Sequence, residues 1–268
     1  MPQLVALVTG ASSGIGRATA MALAKDGYKV YAAARRTEQM KNVHEHIMPL
    51  KLDVTDTLSI DACVEAIIDH EGRIDVLVNN AGYGSYGSVE EVGSSEARHQ
   101  FDVNVFGLAE MTQKVLPHMR AQASGTIINI SSIGGKIAMP FGGWYHASKY
   151  AVEALSDSLR LELKPFGINV IIIEPGGIKT EWNSIATDSL LNVSDSGPYK
   201  KAATKAHASL RVDDKSPGPE VIGSLIVKAL HSRNPRPRYH AGYLSSIVVY
   251  RRFIPDRIFD AILKRMIL

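Results

Sequence analysis

"VTGASSGIGRATAMAL", Val8 to Leu23, is the stretch that decides the fold. An apolar run, "LVALVT" at 4–9, leads directly into it, and a helical period begins near Gly14. Gly10, Gly14 and Gly16 let the backbone approach a pyrophosphate closely. The helix that follows supplies amide donors and the positive end of its dipole. The spacing is G-x-x-x-G-x-G, not the commoner G-x-G-x-x-G. A glycine turn of purely structural use is the competing reading, and the position straight after the first strand weighs against it.

Outward from this turn, short apolar runs alternate with longer stretches of helical period. The strand candidates are "LVALVT", "KVYAAA", "IMPLKLDV", "IDVLVNN", "GTIINIS", "INVIIIEP" and "RYHAG". Helix candidates begin near Gly14, Asp56, Ser95, Tyr145 and Pro219. Continuous Val/Ile/Leu runs suit strands covered on both faces. The alternation predicts a single α/β domain over 1–268. Its core is a doubly wound parallel sheet of about seven strands with helices on both faces.

Composition narrows the function. A formal net charge of +3 without a dense Lys/Arg run argues against nucleic acid. The single cysteine, Cys63, excludes an internal disulfide framework and a cysteine-based zinc site. It is expected in the core, and no metal site is expected. "MPQLVALVTG" has no basic leader or cleavage site, and no window approaches the roughly 20 apolar residues of a membrane span. A soluble cytoplasmic protein is the expectation. Two regions break the rhythm. Residues 183–217 fall between a strand and the next clear helix, and are expected to form a lid or a disordered segment over a substrate. The tail, 243–268, is apolar and basic together, with Ile258, Phe259, Ile262, Leu263, Met266 and Ile267 in one helical stripe. Docking on the domain or on a second subunit is the first reading of that stripe, and peripheral contact with a membrane or lipid-like substrate the second.

The end of the second strand bears on the cofactor. In "KVYAAARRTEQM", Ala33 and Ala34 stand where an acid would meet a free ribose 2′-hydroxyl, and Arg35 and Arg36 follow. An arginine here suits a 2′-phosphate, which favours NADP(H) over NAD(H); an exposed basic turn is the alternative. In "WYHASKYAVEAL", Tyr145 and Lys149 lie at i and i+4 on one helix face. They are either a solvated surface pair or a tyrosine acid whose pKa a neighbouring cation lowers.

With these pieces placed, the chain resembles the short-chain dehydrogenase/reductase family from about Leu4 to Gly242. The motifs run in that family's order. "TGASSGIG" at 9–16 resembles the cofactor turn, which implies contacts from Gly10, Ser12, Ser13, Gly14, Ile15 and Gly16. "LDVTD" at 52–56 resembles the segment in which Asp53 meets the adenine and Val54 lines its pocket. "NNAG" at 79–82 resembles the stretch passing the cofactor ribose, implying Asn79, Ala81 and Gly82. "EPGGIKT" at 174–180 matches P-G-x-x-x-T and implies Pro175, Gly176, Ile178 and Thr180 beside the nicotinamide. Asn104 in "FDVNVFG", Ser132 thirteen residues before Tyr145, and Y-x-x-x-K complete the catalytic set of Asn104, Ser132, Tyr145 and Lys149.

The resemblance implies a Rossmann fold and hydride transfer between NADP(H) and a carbonyl or secondary alcohol. Tyr145 is implied as general acid and base, and Lys149 as the cation that lowers its pKa and holds the nicotinamide ribose. Ser132 is implied to polarise the carbonyl, and Asn104 to hold a water serving proton return. Ser131 and His146 are read as structural, and Met139, Pro140, Phe141 and Trp144 as pocket lining or core. The longer tail looks more like the branch of hydroxysteroid and retinol dehydrogenases and acyl-dihydroxyacetone-phosphate reductases, which suggests a hydrophobic substrate. A homodimer or homotetramer is implied by analogy. A non-catalytic NADP(H) sensor or scaffold on this fold is the alternative, and the complete catalytic set argues against it.

Overall fold

A computed structural model describes residues 3–194, 196–210 and 215–267, without the side chains of Ser184, Ser209 and Met266. Met266 of the tail stripe, and Asp195, residues 211–214 and the side chains of Ser184 and Ser209 in the 183–217 segment, therefore lie outside the described side chains or residues.

The first half alternates strand and helix: β1 (Val5–Thr9), α1 (Gly14–Lys25), β2 (Lys29–Ala34), β3 (Ile47–Lys51), α2 (Thr57–Glu71) and β4 (Val76–Asn79). Then come α3 (Ser94–Phe101), α4 (Leu108–Ala121), β5 (Gly125–Ile130), α5 (Gly143–Glu162) and β6 (Ile168–Pro175). The last part holds α6 (Glu181–Ser194), α7 (Lys200–Leu210), α8 (Glu220–Leu230), β7 (Arg238–Ala241), α9 (Ile247–Tyr250) and α10 (Asp256–Ile267). Local chemistry sets several boundaries. The Asp56 side chain accepts from the Leu58 amide at 3.0 Å to start α2, and Gly72, at φ +68°, ends it in the left-handed region.

All six neighbouring strand pairs are parallel, in the order β3-β2-β1-β4-β5-β6-β7. The chain runs outward from β1 to β3, then returns to the other side of β1 with β4. That reversal leaves a crevice at the carboxyl ends of β1 and β4. One face of the sheet buries Val8, Val30 and Ile128 against Leu23 of α1 and Ile222 and Ile226 of α8. The other buries Leu7, Leu77 and Ile127 against Ile60 and Ile67 of α2 and Met111 and Val115 of α4. Each such side chain contributes about 1.5–3 kcal/mol by leaving water. Cys63 lies in this second core as a free thiol, which burial pushes up to about 12.

Three details depart from expectation. Glu181–Ser194 and Lys200–Leu210 are helices, α6 and α7, where the sequence showed no clear helix. β3 ends at Lys51; the Leu52 amide still donates to the Ala34 carbonyl at 3.1 Å, and Asp53 and Val54 leave the sheet. Between α3 and α4 the backbone widens into a π-helical turn, Asp102–Gly107, which carries Asn104.

Candidate active site

The cleft opens where the strand order reverses, and its floor is the glycine turn. Gly10 and Gly14 adopt φ of +64° and +52°. A Cβ on Gly10 would stand 2.8 Å from the Ala81 Cα, and one on Gly16 would overlap the Gly10 carbonyl oxygen. The turn is clamped from β4: Asn80 Nδ2 donates to the carbonyls of Thr9 at 3.0 Å and Gly10 at 3.2 Å. Ser13 caps α1 without a side-chain bond, and no acid occupies the first turn. The opening amides of α1 are therefore left to an anion, and the residues present fit a pyrophosphate. Gly10, Ser13, Gly14 and Ile15 line the cleft, and Thr180 closes on Gly14 from the opposite wall. Ser12 is buried behind the turn, as is Gly16.

Beyond the buried Ala33 and Ala34, Arg35 and Arg36 stand exposed at the end of β2. Burial pushes the Asp53 carboxyl up, yet bonds from the Thr55 amide and hydroxyl at 3.0 and 2.8 Å, with the charge of Arg35, hold it below its ordinary value. Val54 is buried against Gly107 of the π turn. Asn79 does not face the cleft. Its Nδ2 donates to Thr112 Oγ1 at 3.0 Å and Asn129 Oδ1 at 2.9 Å, tying β4 to α4 and β5. Neighbouring strand residues point to opposite faces, so the cleft-facing asparagine is Asn80. The Ala81 amide donates to Thr9 Oγ1 at 3.0 Å, and Gly82 lines the cleft.

Ser132 follows β5, while Tyr145 and Lys149 share one face of α5. The Ser132 hydroxyl is hydrogen-bonded to the Tyr145 phenol and accepts from the Gly134 amide at 3.0 Å. Lys149 is 7% exposed, and its Nζ donates to the Ile130 carbonyl at 2.9 Å. The electrostatics correct one expectation. Burial raises Tyr145 to about 12, against which the Ser132 bond works. Burial lowers Lys149 to about 8, which Glu153 opposes. For Tyr145, desolvation of the phenolate outweighs the Ser132 bond. Asn104 Oδ1 accepts from the Tyr83 amide at 3.0 Å, and its Nδ2 donates to the Tyr83 carbonyl at 2.9 Å and Ser148 Oγ at 3.0 Å. The π turn thus holds the loop after β4, at Tyr83, against α5. A Cβ on Gly82 would lie 3.1 Å from Asn104 Oδ1 and 3.7 Å from Lys149 Nζ, so the missing side chain keeps the space between them open.

Below Lys149 lies a buried charge cluster. Glu153 and Glu174 are 4% and 2% exposed and hydrogen-bonded to each other. Lys136 and Arg238 pair with Glu153 at 2.7 and 3.0 Å. Burial first and Glu153 second raise Glu174 to about 7. A carboxyl–carboxyl bond needs a proton between the two groups.

The cleft's other wall is aromatic, and sequence reasoning missed most of it. Tyr145 stacks among Trp182, Tyr86 and His146 at centroid distances of 5.1, 5.7 and 5.6 Å. Trp182 opens α6, and Gly84 makes room for it: a Cβ there would stand 2.5 Å from the indole. The glycines around Gly84 and the tryptophan two residues after the matched threonine were the available signals. His146 is 2% exposed, bonded through Nδ1 to the Gly134 carbonyl at 3.2 Å, and burial lowers it to about 4, so it is neutral. Met139 lines the cleft, whereas Phe141 packs on Tyr199 and Trp144 on Phe101 of α3. Pro175, Gly176, Ile178 and Thr180 line it from the end of β6. The Ser131 amide donates to the Ile173 carbonyl at 2.8 Å, holding β5 to β6.

Comparison with known proteins agrees with this geometry. The family model for short chain dehydrogenases matches residues 4–189. The chain is similar to the 3-ketodihydrosphingosine reductase of Bacteroides thetaiotaomicron, 37% identical over 98% of this chain and 97% of that one. It is also similar to human 17-beta-hydroxysteroid dehydrogenase type 1, 34% identical over 89% and 77%. A solved short-chain dehydrogenase from Streptomyces avermitilis superposes with a TM-score of 0.79 at 32% identity, covering 98% and 96%. A Burkholderia phymatum short-chain dehydrogenase/reductase in complex with NAD has the same fold, with a TM-score of 0.82 at 23% identity, covering 97% and 95%. A serine dehydrogenase complexed with NADP+ scores 0.78 at 25% identity, covering 90% and 95%.

Proposed function

The chain belongs to the short-chain dehydrogenase family, and on that premise we propose that it is an NADP(H)-dependent reductase of hydrophobic ketones, lipid-, steroid- or retinoid-like. One observation carries this reading: a buried tyrosine, hydrogen-bonded to Ser132 and walled by Trp182 and Tyr86, faces the crevice at the strand switch point. The similarity to a sphingoid-ketone reductase and a hydroxysteroid dehydrogenase supports a large apolar substrate.

The bound nicotinamide supplies a hydride at the carbonyl carbon. The protein's residues manage the oxygen. Ser132 donates a hydrogen bond to it and polarises the carbonyl. Tyr145, protonated throughout the neutral range, hands over its phenolic proton as negative charge develops. The Lys149 ammonium compensates the phenolate formed and reaches the nicotinamide ribose. Asn104 fixes the wall beside Lys149, and proton return runs through the space that Gly82 leaves open. The glycine turn and the first amides of α1 hold the pyrophosphate, Arg35 and Arg36 the 2′-phosphate, Asp53 the adenine end. Pro175, Gly176, Ile178 and Thr180 flank the nicotinamide. The helices α6 and α7 form the substrate lid. Exposed Phe106, Tyr150, Leu155 and Leu161 on the α4–α5 side give a homodimer or homotetramer its contact face.

The test is loss of NADPH absorbance with a panel of ketones from small to steroid-sized, with NADH and Tyr145→Phe in parallel. Turnover with NADPH, weak with NADH and lower by a hundredfold or more, about the value of one acid–base catalyst, in the variant is expected. NADPH binding without turnover of any ketone would instead favour a sensor on the same fold.

A further inference from the structure

The stripe that the sequence placed on one helix face is divided in the structure. Phe259 and Ile267 of α10 are 5% and 4% exposed, and Ile267 and Leu263 join the apolar cluster that holds Tyr145, Leu190 of α6 and Ala203 of α7. Ile258 and Ile262, one turn apart on the adjoining face, are 55% and 45% exposed. Tyr250 and Phe253, just before the helix, are also exposed. The apolar arc of α10 is thus wider than the surface it docks on, and the excess faces outward.

Charge accompanies the exposed apolar groups. Residues 243–268 hold five of the chain's 30 Lys and Arg and two of its 27 Asp and Glu, so they carry all of its +3 while the rest is balanced. Asp256 is paired with Arg251 at 2.6 Å, and Arg251 stacks over Phe259 at 4.3 Å. Arg252 stacks over Phe253 at 4.6 Å. At 3.6 residues per turn, Arg265 falls beside Ile258 and Ile262, and Arg257 and Lys264 fall on the flank away from the protein.

We propose that Ile258, Ile262 and Phe253, with Arg252, Arg257 and Arg265, form a docking surface for an anionic phospholipid membrane. Such a helix lies in the plane of the interface, with apolar groups entering the acyl boundary and arginines meeting lipid phosphates. A second copy of the chain is the poorer occupant, because a two-fold contact would set one +3 segment against another. The surface also adjoins the site: the other face of α10 packs into the cluster around Tyr145, so a membrane-dissolved ketone would meet the lid helices directly. The surface stands without that last step, which rests on the proposed substrate class.

The experiment is co-sedimentation of the full chain with phosphatidylcholine vesicles, with and without phosphatidylglycerol. An Ile258→Ser/Ile262→Ser double variant is run alongside, with light scattering and turnover of a water-soluble ketone. Both positions are exposed, so folding is not at risk. Binding to the anionic vesicles, at least tenfold weaker without phosphatidylglycerol, in high salt or in the variant, with mass and soluble turnover unchanged, is the expected result. Equal partitioning of the parent and variant chains would overturn it. So would a fall in mass in the variant, which would mean that the isoleucines belong to a subunit contact. Vesicle binding needs no catalysis, so its failure and the failure of the reductase reading are distinguishable.

Discussion

The two walls of the cleft are built differently. One is made of strand ends backed by α5: the glycine turn after β1, Asn80 and Gly82 after β4, Ser132 after β5 beside Tyr145 and Lys149 of α5, and Pro175 after β6. Each is fixed by backbone geometry and hydrogen bonds to its neighbours. The other is made of helix: α6 and α7, with Trp182 and Leu210 facing the cleft, held by apolar packing and by side-chain hydrogen bonds such as Ser189 Oγ to the Tyr86 carbonyl and the Ser88 amide to Ser194 Oγ, both at 3.2 Å. The first has little freedom, because a single Cβ on Gly10 or Gly16 collides with backbone. The second can exchange one side chain for another and only reshape the space. The proposed chemistry is assigned to the rigid wall, and selectivity is expected from the adjustable one.

The strongest way to break this contrast is at the rigid wall. Lys149→Met should lower turnover by about a hundredfold or more, as the loss of a group serving proton transfer does. In the parent protein, reduction should fall as pH rises through about 8, where the buried ammonium is lost, and Lys149→Arg should move that limb to higher pH. Steady-state rates from pH 6 to 10 decide it. If the limb stays in Lys149→Arg, another group carries it.

A smaller effect is expected at the cofactor's far end. Arg35→Ser with Arg36→Ser should cut the preference for NADPH over NADH by roughly tenfold or more, the value of one or two charged hydrogen bonds. The ratio of kcat/KM for the two cofactors reads this, and an unchanged ratio would locate 2′-phosphate recognition elsewhere.

The adjustable wall gives a change of pattern rather than a loss. Trp182→Ala should raise KM for steroid-sized ketones roughly tenfold, as removing a large aromatic contact does, while a small ketone turns over within about threefold of the parent. A uniform loss across the panel would make Trp182 part of the rigid wall and erase the distinction.

The smallest effect concerns stability. Glu174 titrates higher in the fold than its ordinary 4.5. Between that value and about 7 the folded chain holds the extra proton, so stability falls as pH rises across this window and levels off above it. Glu174→Gln, which cannot ionise, should flatten the slope of melting temperature against pH between about 4.5 and 7. An unaltered slope would assign the proton to other groups.

What the sequence made legible follows the same division. The continuous apolar run "INVIIIEP" is β6 from end to end, because a strand buried on both faces has nothing to alternate. The glycine turn and the Ser132, Tyr145 and Lys149 spacing were legible because strand ends and one helical turn fix where such residues point. The helices of 181–210 were hidden: their sequence is rich in Ser, Thr, Asn and Ala, and the partner surface that makes them helical comes from distant parts of the chain. The roles of Asn79 and Asn80 turn on a one-residue alternation that the motif alone does not phase. The direction of the Tyr145 shift depends on burial, which spacing does not report.

The π turn at 102–107 has a consequence for chain length. Such a turn is an α-helix with one residue too many. Removing one residue there would let α3 and α4 join as a single regular helix, with both ends still seated. Asn104 would then lose its hydrogen bonds to Tyr83 and Ser148. One residue of chain length therefore separates a regular helix from the geometry that gives Asn104 its proposed role.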